Sequence, residues 1–130
     1  MARLRHWESR LAEAIARAKA EPFIWGAHDC VLWAASAVEA TTGVDYMADF
    51  RGRYKSAAGA ARLIKREGPT LAEAVDKRFA RVPACRAQRG DLLLAQKALG
   101  ICDGAIGWFV TPDQGLQRVK VRDCEAAWRV

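Results

Sequence analysis

Cys30 is the residue of this chain best placed for covalent chemistry. It heads a run from Val31 to Ala40 that is apolar nearly all round, the composition of a buried central helix, stopped before Gly43. At such a helix start the dipole and the free amides favour a thiolate. A thiolate can attack an amide carbonyl when an adjacent imidazole has taken its proton, giving an acyl-enzyme that water then hydrolyses. Asp29 directly precedes the thiol and suits the N-cap, its carboxylate accepting from first-turn amides. Only two histidines are present. His28, in the turn leading to Cys30, is the candidate base, although residues two apart usually point differently and the turn also gives it a structural reading. His6 falls on the polar side of the first helix and reads as a surface residue.

The remaining cysteines are Cys85, Cys102 and Cys124. No two of the four stand close enough for a zinc ribbon or finger. Those three read as small buried hydrophobes, and disulfides are not expected in a reducing compartment. No metal or other cofactor is expected.

Several elements must position these residues. Leu4, Trp7, Leu11, Ala14, Ile15 and Ala18 recur at spacings of three and four, predicting an amphipathic helix over 4–20 that Pro22 ends. Residues 45–54 are aromatic and irregular. Ser56 to Glu67 reads as a helix closed by Gly68-Pro69. Thr70 caps another, with Leu71, Ala74, Val75 and Phe79 inward and Glu73 in capping-box position. After Pro83 short apolar or alternating runs at 91–95, 99–102, 105–110 and 115–119 are punctuated by Gly, Asp and Pro, which predicts an antiparallel sheet. The tail from Asp123 to Val130 supplies a last turn and strand. Helices first and strands second give an α+β fold. A length of 130 residues fits one domain, 1–130.

No stretch approaches the roughly 20 apolar residues of a membrane span. Met1 to Ala20 mixes Arg, Glu and Lys among its apolar residues and is not a secretory signal, so synthesis in a cytoplasm is expected. Net charge is +6 and the pI about 9.5. The basic residues are widely spread, densest from Arg51 to Arg66 around Tyr54. No recognition helix, zinc finger or RNA-binding signature accompanies them. The expectation is therefore a solvated basic face, or one that docks an acidic protein, rather than a nucleic-acid site.

Phe23-Ile24-Trp25-Gly26 followed by Asp29-Cys30 resembles the aromatic-Trp-Gly … Asp-Cys opening of NlpC-type, papain-like cysteine peptidases. Arg89-Gly90-Asp91-Leu92-Leu93 is similar to their Gly-Asp-Leu step into the first strand. Leu99-Gly100-Ile101-Cys102 is similar to the next strand, which in that family usually reads His-Val-Gly-Ile-Tyr. The small NlpC-like domains of phage and prophage tail modules share this opening and an ending like Ala127-Trp128-Arg129, while the helical segment 51–80 is longer than the usual connection. The resemblance implies a papain-like fold, Cys30 as nucleophile, Trp25, Asp29 and Asp91 as binding-site residues, and cell-wall peptide as substrate class. It also marks a departure. Ala98 stands where the family keeps its histidine, and no polar residue from Ile106 to Phe109 could orient an imidazole.

A fold kept after its catalysis was lost is the expectation that follows. The first function class is a structural or assembly protein of a phage tail tip or baseplate, with other tail proteins as partners, the virion as its destination, and five tryptophans as contact surface. The second is an active cysteine hydrolase of peptidoglycan stem peptides using Cys30 with His28 or another partner. A DNA-contacting or metal-binding module is the third.

Overall fold

In the computed structural model, which describes residues 2–130, helix α1 (Trp7–Ala20) begins later than its periodicity predicts. Met1, where the expected domain starts, lies outside the described residues. The delay has a tertiary cause. The Leu4 amide donates to the Thr41 carbonyl at 2.7 Å, which holds the first residues extended, and the chain enters α1 through His6 in the left-handed region at φ 59°. His6 therefore stands at the N-cap position, ahead of the helix and without a side-chain capping bond, and is exposed as its surface reading expects. From there the pattern holds, with Leu11, Ala14, Ile15 and Ala18 buried against α2.

Helix α2 (Leu32–Thr42) is the central buried helix; it begins two residues after Cys30, which lies in the preceding turn instead of on the helix as expected, and it stops where Gly43 takes φ 83°. Trp33 is almost wholly buried, and its indole N–H donates to the Trp108 carbonyl at 2.9 Å, fastening the helix to the sheet. Full burial of side chains such as Leu32, Trp33 and Val38 contributes roughly 1.5–3 kcal/mol each. Helix α3 (Ala57–Glu67) is capped by Ser56, whose Oγ accepts from the Gly59 amide at 3.1 Å. Thr70 caps α4 (Leu71–Asp76) in the same way through the Glu73 amide. Helix α4 is shorter than expected, because the chain turns at Val75–Phe79 into a strand that the sequence did not signal.

That strand is β1 (Ala80–Val82), and Pro83 after it favours extended backbone at Val82. The sheet continues with β2 (Leu92–Ala95), β3 (Ala98–Asp103), β4 (Ile106–Thr111), β5 (Gly115–Lys120) and β6 (Ala126–Arg129). All pairings are antiparallel, in the order β1-β6-β2-β3-β4-β5. The chain is thus α+β. Strand β2 is buried on both faces, which explains an apolar run without alternation. Leu92 and Leu94 meet the helices, while Leu93 and Ala95 join Cys102, Phe109 and Ala127 on the other side. Gly100 is required where β3 passes β4, since a Cβ there would strike the Trp108 carbonyl and the Phe109 ring. Among the described residues no helix is long and apolar enough to cross a membrane.

Asp91 draws the two ends of the chain to β2. Its carboxylate is fully buried and accepts from the Val130 and Gln88 amides, from Arg129 Nε at 2.9 Å, and from Arg3 Nη2 at 3.3 Å. All four neighbours are donors, so a side-chain amide would turn its NH2 against some of them. Asp91→Asn is therefore expected to lower stability by about 2–4 kcal/mol, read as a fall in the urea midpoint without a change in slope.

Candidate functional site

The Trp-Gly … Asp-Cys segment folds around a single carboxylate. Asp29 is fully buried. Its Oδ1 accepts from the Val31 and Leu32 amides at 3.0 and 2.9 Å, and its backbone carbonyl accepts the first helical bond from Trp33. Its Oδ2 accepts from the Gly26 amide at 2.9 Å and the Tyr54 hydroxyl at 2.6 Å. The N-cap position of α2 falls at Val31, not at Asp29 as expected; Asp29 instead satisfies the amides leading into the helix from two residues upstream, and it also tethers the 52–54 loop. Gly26 makes this possible. It takes φ 84° with the Tyr54 carbonyl packed where a Cβ would point, and its own carbonyl accepts from the Gly52 amide. A β-carbon fits neither the dihedral nor the space.

Cys30 follows Asp29 and lies half-buried at the junction of two clefts. The larger, about 730 Å3, runs between α3 and the tip of the β2–β3 hairpin, and Trp25, Asp29 and Tyr54 help to line it. The smaller, about 430 Å3, lies between that hairpin and the β4–β5 turn, and Ala98 lines it. Cys30 and Lys97 line both. The hairpin turn is Gln96-Lys97, both at positive φ (49° and 63°) as a two-residue type I′ turn demands, and the Gln96 amide donates to Glu125 Oε1. The Cys30 carbonyl accepts from the Leu99 amide at 2.8 Å, which pins the thiol's backbone to the start of β3.

The electrostatics oppose a thiolate. Burial, and then the charge of Asp29, push the Cys30 thiol up to about 11. The first-turn amides expected to stabilise a thiolate are already occupied by Asp29 Oδ1. A group with that pKa is ionised to only about one part in 10⁴ at pH 7, against a few per cent for an ordinary cysteine. Burial and the Asp29 carboxylate likewise raise Tyr54 well above the usual phenol range, so its hydroxyl stays a donor.

His28 does not reach the thiol's clefts. It is 6% exposed, with Nδ1 3.3 Å from Glu21 Oε2, its ring edge-on to Trp33, and Nε2 buried without a hydrogen-bond partner among the described residues. Its backbone is bridged to Ile24. Of the binding residues read from the sequence, Trp25 and Asp29 are at the cleft. Asp91 lines neither cleft and serves the architecture instead. Tyr54 and Lys97 are the residues the sequence did not single out for this site. Tyr54 lies 25 positions beyond its partner, and Lys97 shares the clefts of Cys30 only because a hairpin folds over them.

Other expectations need correction. Cys85 is exposed on a short 3-10 turn and Cys124 is half-buried, so Cys102 alone of the three is fully buried. Trp33 and Trp128 are core residues, and Trp7 and Trp108 are half-buried beneath Arg3 and Lys19. The tryptophans therefore mostly hold the fold together, and Trp25 alone among them lines the Cys30 clefts. Among the described residues no three His, Cys, Asp or Glu side chains converge on a metal position.

A family model described as a domain of unknown function, DUF6950, matches residues 2–130. The chain belongs to the DUF6950 family. No curated protein matches it. For this DUF6950 chain the site is thus defined by its own geometry: a protonated thiol between two clefts, with alanine on the nearest strand.

Alkylation of Cys30 in the folded DUF6950 protein should be slow at pH 7 and rise about tenfold per pH unit toward an inflection near 11, rather than near 8.5. Because the folded-state pKa lies above the unfolded one, the neutral thiol's contribution to stability is complete below about pH 8.5 and disappears as pH rises to 11. Tyr54→Phe, which leaves Asp29 Oδ2 one donor short, should cost about 1–3 kcal/mol in urea denaturation.

Proposed function

We propose that this chain is a catalytically inactive, papain-like (NlpC-type) domain that works by binding, as a structural or assembly component of a phage or prophage tail tip or baseplate. The observation that carries the loss of catalysis is the pairing of Cys30 with Ala98. The Cys30 carbonyl accepts from the Leu99 amide of β3, and Ala98 at the head of that strand shares a cleft with Cys30. That is where the resemblance puts a histidine beside the nucleophile. Alanine takes no proton, His28 is turned to Glu21, and the thiol is pushed up to about 11. Removing a general base costs roughly 10²–10⁴-fold in rate, and a protonated thiol lowers the rate further. The antiparallel sheet packed on a buried helix that begins just after Cys30 supports the papain-like reading, and the open clefts at Cys30 suit a retained binding role. The tail assignment rests on the sequence resemblance.

Purified protein should leave peptidoglycan stem peptides uncut, and Cys30→Ser should not alter its incorporation into particles. Ala98→His restores the family's pairing in a cleft with room for the ring. It should bring the alkylation inflection of Cys30 down and raise its rate at pH 7 at least about tenfold. Cys30-dependent cleavage by the unaltered protein would sink the inactive reading and leave the hydrolase in its place. Immunogold labelling that finds the chain off the tail of purified particles would remove the tail assignment.

A further inference from the structure

Helix α3 walls off the Cys30 cleft on one side and a second groove on the other. That groove, about 420 Å3, runs between α3 and the loop that carries Gly52 to Ser56. The segment from Arg51 to Arg66 holds six cations and no acid. The fold sorts them. Arg51 is bound to Asp45 at 2.6 Å, and Lys65 faces the Cys30 cleft. Arg53, Lys55, Arg62 and Arg66 all line the second groove, all exposed, and no acidic side chain among the described residues lines it with them.

None of these four forms an ion pair among the described residues, whereas Arg3, Arg51, Arg78, Arg81, Arg89 and Arg129 each reach a carboxylate. Arg62 and Arg66 stand one turn apart on one helix, a like-charge spacing that costs helix stability unless an anion relieves it. Three of the four are arginines, whose planar forks match the paired oxygens of phosphate.

The rest of the lining narrows the partner. Protein partners are gripped by aromatic or aliphatic anchors at the centre of an interface. Here the only large apolar neighbours are Leu63, half-buried against the core, and Tyr54, whose ring is buried and whose hydroxyl is spent on Asp29. Single strands are held by stacking bases on free aromatic faces. This groove offers none. We infer that it binds the phosphodiester backbone of duplex nucleic acid, without reading sequence. The sequence showed no recognition motif, and none is needed for a contact made to phosphates alone. The inference does not depend on the state of Cys30.

The test is fluorescence anisotropy of a labelled duplex of about 20 base pairs across a salt series. Four phosphate contacts give a log–log slope of about −3.6, or a fall in affinity of roughly 150-fold between about 50 and about 200 mM salt. Arg62→Glu with Arg66→Glu should weaken binding more than about tenfold and reduce the slope by about 1.8. Arg118→Glu with Arg122→Glu changes net charge equally on and just after β5 and should leave both nearly unchanged. If the first pair fails to fold by circular dichroism, Arg53→Gln with Lys55→Gln replaces it and should lose the same slope. Absence of duplex binding at low salt, equal losses in the two charge-reversal proteins, tighter binding of single strands, or equal competition by polyglutamate would each overturn the inference.

Discussion

One buried carboxylate organises the functional half of this molecule. Asp29 accepts hydrogen bonds from Gly26, Val31, Leu32 and Tyr54, which joins a left-handed turn, the start of the central helix and a distant loop. A carboxylate in such a place must have its lone pairs satisfied, and losing any donor leaves charge uncompensated away from water. The arrangement therefore specifies the loop path as firmly as it holds the entry to the helix. It also sets the chemistry of its neighbour. Amides that would favour a thiolate are spent on Asp29, and burial, then the carboxylate's own charge, opposes ionisation of Cys30. The interaction that builds the site thus adds to what burial already does to keep Cys30 protonated.

Asp91 repeats the device for the sheet. It sits at the start of β2 with two backbone amides and two guanidinium groups around it, so residues near both ends of the chain close over one strand. The two aspartates divide the labour between them. Asp29 anchors the turn that carries the thiol and the helix that follows it, and Asp91 anchors the strand whose hairpin folds over the thiol. Between them, the Leu99 amide and the Cys30 carbonyl make the direct link.

Helix α3 then gives the surface its polarity of function. Its small residues Ala57, Ala60 and Ala61 face the Cys30 cleft and keep it open, while Arg62 and Arg66 face the basic groove. A helix with alanines on one side and arginines on the other can border two sites of different character without distorting either. Tyr54 joins them physically, its hydroxyl at the floor of one and its backbone at the edge of the other.

The residues alone determined the local features: helices before strands, the Asp29 carboxylate at the entry to α2, the stop at Gly43 and the Ser56 and Thr70 caps. Each depends on residues within a turn or two of one another, where periodicity and capping chemistry act directly. Tertiary structure decided what depends on contacts between distant segments. The hold of Leu4 on Thr41 delayed α1, and pairing with β6 made a strand of Ala80–Val82. Tyr54 became a partner of Asp29 across 25 residues, and Asp91 became a structural hub rather than a binding residue. His28 stands two positions from Cys30 in sequence, yet its ring meets Glu21 and lines neither Cys30 cleft. The cations spread along 51–66 acquire a common groove only when α3 packs beside the loop before it. Spacing along the chain fixes which residues share a helix face, but only the packing of elements fixes which side chains share a site.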